Sequence, residues 1–278
     1  MEKWLLFAIF AGIFSTSFNY INRNFLKDNQ DTTSYAWLFE LTRTLLFVPI
    51  IILEIPFKVV SFSAIYLLLL GVVEFFSVYV FMKMHAHTHL SISTIVTRLR
   101  LVWVPILAYI FLREQLSEKD YLGIVIIFLG QSVIVSPRKF MIDKGIRLAF
   151  YSSFATAALA LVMKKASELF PTAVITASMG IPTLLGYPFF MKDWRCRISS
   201  LWKKNRIPII IATIFNALAM YFLIWALKLG GVSKVTAIYQ SSLLFGVIVG
   251  IISLKEKDNI GKKIVGGVIT VLGILLLI

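Results

Sequence analysis

Five ionisable side chains stand inside long apolar runs of this chain: Glu40 and Arg43, then Glu74, then Arg98 and Arg100. In hydrocarbon an unpaired charge costs roughly 2.5–3.5 kcal/mol even on insertion scales, so each needs a partner or a task. Glu40 and Arg43 are three residues apart, share a helical face and can neutralise each other. They read either as a pair that positions its helix or, through Arg43, as the wall or gate of a cavity. Arg98 and Arg100 are two apart and point about 200° away from each other around a helix. One can therefore face a lumen while the other meets Glu74, Glu40 or a backbone carbonyl. An arginine grips a carboxylate with two parallel hydrogen bonds, and a buried acid can hold an ammonium group or carry a proton. Together they suit a zwitterion or a carboxylate; the plainer alternative is a bracing network of all five charges.

Other reactive types add little. His85, His87 and His89 lie in one short stretch, and His85 and His89 have the i, i+4 spacing of two metal ligands. No third ligand is near in sequence, so a wet loop edge explains them better and no metal is expected. The single Cys196 excludes an intramolecular disulfide. No Gly-x-Ser-x-Gly, His-Glu-x-x-His, P-loop or dinucleotide fingerprint occurs, so neither a catalytic constellation nor a nucleotide or other cofactor is expected. Asn19 and Asn22 are polar enough to line an entrance.

The elements that must position these residues are membrane helices. Of the 278 residues 59% are apolar and 15% charged, with a mean hydropathy of +0.86. Ten runs are long enough, or nearly so, to cross about 30 Å of hydrocarbon: 4–22, 34–54, 64–83, 90–112, 120–136, 147–163, 172–191, 207–227, 234–253 and 262–278. Barrel strands would alternate apolar with polar residues, and these runs do not. The first run lacks a small-residue cleavage site and reads as a span. The net charge of +14 belongs to basic loops at a membrane face rather than to nucleic-acid binding. The N-terminus and even-numbered loops hold eight Lys/Arg and the odd-numbered loops seventeen, which places the odd loops in the cytoplasm and both termini outside.

The chain also repeats itself. Leu112-Arg113-Glu114 precedes a run with Gly123 and Gly130, and Leu254-Lys255-Glu256 precedes one with Gly266 and Gly273. The offset is 142 to 143 residues, so residues 1–143 and 144–278 are two copies of five spans each. An odd number of spans turns the second copy upside down, and such inverted halves are a carrier's plan, with the site near mid-membrane at the axis between them. The glycine pairs lie on one helix face and let backbones approach. Subtracting the offset pairs Glu74 with Asn216, Arg98 with Gln240 and Arg100 with Ser242. Glu74, Arg98, Asn216 and Gln240 are therefore the expected polar ring, with Arg100 a structural partner.

Ten spans, the five-plus-five duplication and a Leu-x-Glu corner followed by Gly-x6-Gly resemble the drug/metabolite transporter superfamily, its EamA-like branch above all. Arg43 in Leu41-Thr42-Arg43-Thr44-Leu45-Leu46 resembles an arginine often found in that family's second span. The chain departs from the family at Arg98 and Arg100, where a proline-centred apolar stretch is common. The resemblance implies a carrier of small metabolites with a cavity lined by spans 1, 3, 4, 6, 8 and 9. Tyr79, Trp103, Tyr221, Trp225 and Tyr239 fall in those spans, where aromatic faces hold cationic or apolar ligand parts.

The sequence thus predicts an all-α membrane protein of ten transmembrane helices in two inverted five-helix repeats, a multi-pass protein of a prokaryotic cytoplasmic membrane. The expected function is secondary-active transport of a small polar metabolite, an amino acid or other zwitterion or carboxylate, by alternating access. Its partners are the lipid bilayer, the substrate and a coupling proton on Glu74, in a monomer or homodimer. The alternatives are an exchanger of anions or phosphorylated metabolites and, from another class, a membrane enzyme or lipid-handling protein.

Overall fold

A computed structural model describes residues 2–28, 31–54, 63–87, 96–135, 144–246 and 260–278. Among these, ten helices follow one another: α1 (Lys3–Asp28), α2 (Thr32–Glu54), α3 (Ala64–His87), α4 (Arg100–Leu107, continuing as a π turn over Ala108–Leu112), α5 (Glu118–Val135), α6 (Lys144–Leu169), α7 (Thr172–Gly186, with a 3₁₀ turn Tyr187–Phe190), α8 (Trp194–Leu229), α9 (Val232–Gln240) and α10 (Ile260–Leu277). Helix is the state in which every backbone polar group is satisfied within its own segment, which lipid demands. Burial is inverted relative to a soluble core. Leu53 is 84% exposed and Phe111 71%, facing where lipid chains lie, whereas Arg43 at 1% is among the most deeply buried large side chains. Ala, Gly, Ser and Thr fill much of the interior and let helices pack closely.

The helix pairings keep their pattern when the halves are exchanged. α1 packs on α8 as α6 packs on α3; α2 on α8 as α7 on α3; α4 on α6 as α9 on α1. Three pairings, α5 with α10, α2 with α7 and α4 with α9, map onto themselves and so straddle the axis between the halves. At the α5–α10 crossing a Cβ on Gly123 would stand 2.9 Å from the Gly273 carbonyl oxygen, and one on Gly130 2.7 Å from that of Gly266. The early glycine of one helix meets the late glycine of the other, so the two run antiparallel, as inverted copies must.

Several boundaries differ from those read in the sequence. α1 runs on to Asp28, past the expected end at 22. The supposed loop 191–206 is largely helical, forming the first turns of α8. Asn205 alone leaves helical geometry there (φ −132°, ψ 24°). Pro208 supplies the reason: it has no N–H for the carbonyl of Lys204, and its ring pushes that carbonyl aside.

The fourth span of each half is not a uniform helix. Around Arg98 and Leu99 the chain tightens into three-residue hydrogen bonds (Leu101 N to Arg98 O, 2.8 Å; Val102 N to Leu99 O, 2.9 Å). It does so again at Ser241 and Ser242 (Ser241 N to Ile238 O and Leu244 N to Ser241 O, each 3.0 Å). These are matched positions of the two copies, and such mid-helix 3₁₀ turns often mark functional hinges.

The Leu254–Glu256 corner and His89 lie outside the described residues, as do the side chains of His85 and His87.

Candidate functional site

The intramembrane charges gather into two clusters rather than one ring. In the first, Arg43 on α2 is the hub. Its Nη2 donates to Glu40 Oε2 at 2.5 Å, and its Nη1 to Glu74 Oε1 on α3 at 3.2 Å and to Asn216 Oδ1 on α8 at 3.5 Å. The Phe39 ring lies 5.5 Å from its guanidinium carbon. Thr42 and Thr213 join α2 to α8 beside this hub through a 2.7 Å hydroxyl contact. On the other side Gly180 of α7 lets Glu40 approach, since a Cβ there would stand 2.9 Å from Glu40 Oε2. Glu40 Oε1 and Arg43 Nε are buried without a hydrogen-bond partner. One guanidinium thus faces two carboxyl groups, and the repeat-matched pair Glu74 and Asn216 is bridged by a residue from outside that pair.

The second cluster forms where the two 3₁₀ turns meet. Arg98 Nη1 donates to the backbone oxygen of Gln240 at 3.0 Å and also to its Oε1. Gln131 of α5 donates to the same backbone oxygen at 3.2 Å. The turn explains the target, because tightening the helix beyond Gln240 exposes its carbonyl to side chains. Arg100 lies over the ring of Tyr239 at 5.5 Å, and the Tyr239 hydroxyl meets Ser15 Oγ of α1 at 2.6 Å. Thr16 joins Ser242 at 3.1 Å. Both arginines keep some accessible surface, and Nε of each is without a partner. Arg98 and Gln240, paired across the halves by the sequence offset, touch directly. The expectation that Arg100 meets a carbonyl or an acid is replaced by its stacking on an aromatic ring.

The aromatic residues divide. Tyr239 belongs to the second cluster. Tyr221 and Trp225 join a row with Phe7 and Phe222 along the α1–α8 contact (Phe7–Trp225 6.2 Å, Tyr221–Phe222 5.8 Å). Trp103 packs edge-on against Phe150 and Phe154 of α6. Tyr79 is exposed, with Lys83 over its ring at 4.3 Å. Asn22 does not line an entrance: it is fully buried and accepts a hydrogen bond from the Tyr35 hydroxyl, which satisfies its carbonyl inside the α1–α2 corner. Asn19 is exposed.

Sequence reasoning passed over Gln131, Ser15 and Glu114. Gln131 and Ser15 are polar types inside apolar runs, which was the available signal. Glu114 was visible as half of the repeated corner, yet its task was not. After the left-handed Arg113 (φ 54°) it crosses to the second half and accepts from Ser233 Oγ at 2.7 Å and Ser233 N at 3.3 Å, capping the start of α9. Lys234 pairs beside it with Asp120 at 2.9 Å.

Counting passes from α1, these contacts lie at the face of the chain termini. An open cavity of about 560 Å³ lined by Lys3, Trp4, Gly230, Gly231 and Lys234 is at the same face and shares no residue with either cluster. At the opposite face Arg197 of α8 pairs with Asp31 before α2, its Nε standing 2.9 Å from Oδ2. Burial pushes the Asp31 carboxyl upward, but hydrogen bonds from Arg197 and Ser34 together with the Arg197 charge outweigh it and hold the group below its ordinary 3.8.

Known proteins fit this geometry. A model of the EamA-like transporter family matches twice, at residues 2–136 and 143–278. A protein of Archaeoglobus fulgidus described as an uncharacterized transporter is 26% identical over 100% of this chain and 99% of its own. One of Methanothermobacter thermautotrophicus, described the same way, is 25% identical over 66% of this chain; the match spans only 55% of that longer protein. A protein of known crystal structure aligns with 98% of this chain and 95% of its own at a TM-score of 0.75 and 11% identity, which bears on the fold alone. A helical membrane protein whose two halves each match the family, and whose helices pair across an axis between inverted copies, belongs to the EamA-like transporter family.

Proposed function

We propose that this protein is a secondary-active carrier of a small zwitterion or carboxylate, with its substrate site at the meeting of the two 3₁₀ turns. The observation that carries this reading is the contact of Arg98 with Gln240. It joins one half to the other at matched positions and uses a backbone oxygen that a regular helix would have kept for itself. Arg98 and Arg100 each keep some accessible surface and a buried Nε without a partner, which suits them to a carboxylate, and Tyr239 and Ser15 carry hydroxyls beside them. Glu74, with Glu40, shares a single arginine, so the fully ionised set carries one net negative charge in a dry interior. A coupling proton on Glu74, or a substrate ammonium group, would cancel it. The halves 1–143 and 144–278 move as the two bodies of alternating access in a cytoplasmic membrane, with Tyr221 and Trp225 guarding the α1–α8 seam.

In proteoliposomes, Arg98→Ala should abolish uptake while leaving the protein folded, and Glu74→Gln should remove the dependence of uptake on a pH gradient. Full, pH-dependent transport by both variants would sink the assignment.

A second reading, exchange of anions including phosphorylated metabolites, draws support from Arg98 and Arg100 standing together with no acid hydrogen-bonded to either among the described residues. It predicts brisk counterflow that an imposed pH gradient does not alter.

A further inference from the structure

The segment 191–206 holds six Lys/Arg and a single acid, Asp193; Arg195, Arg197, Lys203 and Lys204 fall on the helix from Trp194 to Lys204, with Lys192 in the turn before it and Arg206 just after the break at Asn205. From Trp194 to Lys204, before the break at Asn205, the helix is two-faced. Trp194, Arg197, Ile198, Leu201 and Trp202 recur at i, i+3, i+4, i+7 and i+8 and are buried or half-buried. The four apolar members pack on the cluster of Phe18, Tyr35 and Phe39, while Arg197 turns inward to Asp31. The other face and the residues flanking it are spent differently: Arg195, Lys203 and Lys204 on the helix, Lys192 before it and Arg206 after it are all exposed, and none has an ion-pair partner among the described residues. Directly before the helix, Phe189 and Phe190 are 88% and 77% exposed.

Neither feature alone names a partner, but their order does. The two phenylalanines end α7, the helix that reaches this face of the membrane, and the basic residues begin the next one. Apolar rings at the edge of the acyl region beside several exposed cations at headgroup level are what a membrane-surface segment presents to acidic lipid.

We propose that the first turns of α8, with Phe189 and Phe190, form a binding site for anionic phospholipid headgroups. The site lies outside both polar clusters and does not depend on what the carrier moves. Because Arg197 belongs to the same helix, bound lipid fixes the element that holds the Asp31 contact between the halves.

The test compares thermal unfolding of the detergent-solubilised protein with phosphatidylglycerol and with phosphatidylcholine added at equal molar ratio. Phosphatidylglycerol should raise the midpoint by several degrees more than phosphatidylcholine, and the difference should shrink as salt rises from 0.05 to 0.5 M, in line with screening. Changing Lys192, Arg195, Lys203, Lys204 and Arg206 together to Gln should weaken phosphatidylglycerol binding more than about a hundredfold. Exchanging Lys for Arg and Arg for Lys at the same five positions should preserve it. If the five-Gln variant does not fold, Lys203→Gln/Lys204→Gln must show a partial loss. Equal effects of the two lipids on the wild type, an undiminished response in the Gln variants, or the same shift from inorganic phosphate alone would each overturn the proposal.

Discussion

Arg43 joins three helices in the interior, and two acids on two of them depend on its one charge. Removing one partner from a buried ion pair strands the other, at a cost of about 3–5 kcal/mol. Arg43→Ala should therefore lower the unfolding temperature sharply, and adding Glu40→Gln and Glu74→Gln to it should recover part of the loss. Equal stability of Arg43→Ala and wild type would show that the carboxyls do not need the guanidinium. The Asp31–Arg197 contact gives a gentler, pH-dependent effect, since both side chains remain partly in water. The folded Asp31 carboxyl lies below its ordinary value. Its contribution is thus complete above the unfolded value of about 3.9 and disappears as pH falls through the lower folded one. The difference in midpoint between wild type and Asp31→Asn should be constant from about pH 7 to 5 and should close below about pH 4. At this scale the charged types, the Glu40–Arg43 pair and the matched positions were legible in the chain, and the partners on other helices were not. The offset put Glu74 opposite Asn216, but only side-chain reach in three dimensions inserts Arg43 between them.

The α5–α10 crossing shows how far repeated small residues direct packing. A Cβ on Gly130 would meet Thr270 Oγ1 at 2.5 Å and the backbone nitrogen of Thr270 at 2.7 Å, so the helices would have to part. Gly130→Ala should destabilise the protein by about 1–3 kcal/mol, the usual cost of overpacking. Gly261→Ala, where nothing lies within 4 Å, should be neutral or stabilise by up to about 1 kcal/mol through helix propensity. Thermal unfolding of the two variants side by side measures both, and similar midpoints would refute the close crossing. The spacing of these glycines announced their packing role because seven residues are nearly two helical turns, whatever surrounds them. The helical start of α8 was hidden for a related reason. Its basic residues look like a loop in a hydropathy reading, whereas the three- and four-residue spacing of Trp194, Arg197, Ile198, Leu201 and Trp202 between them is that of an amphipathic helix.

Across the whole molecule, polar contacts tie the two halves together at both membrane faces. Glu114–Ser233 and Asp120–Lys234 do so at the face of the termini, and Asp31–Arg197 at the other. The proposed alternating access requires that one set release while the other holds. In a Cys196→Ser background, cysteines at positions 31 and 197 joined through two disulfides by a bifunctional methanethiosulfonate should stop transport, and reductant, by cleaving those disulfides, should restore it. Undiminished flux through the cross-linked protein would mean that the halves do not separate at that face.

The sequence by itself determined the membrane location, the ten helices and the inverted duplication, because hydropathy, span number and repeat offset are properties of the chain that lipid and topology convert directly into architecture. Which charges meet across helices was decided by the tertiary structure alone. A guanidinium reaches several ångströms and chooses among acids on other helices according to how those helices pack. A carbonyl such as that of Gln240 becomes a ligand only once two spans tighten at the same level and are brought face to face.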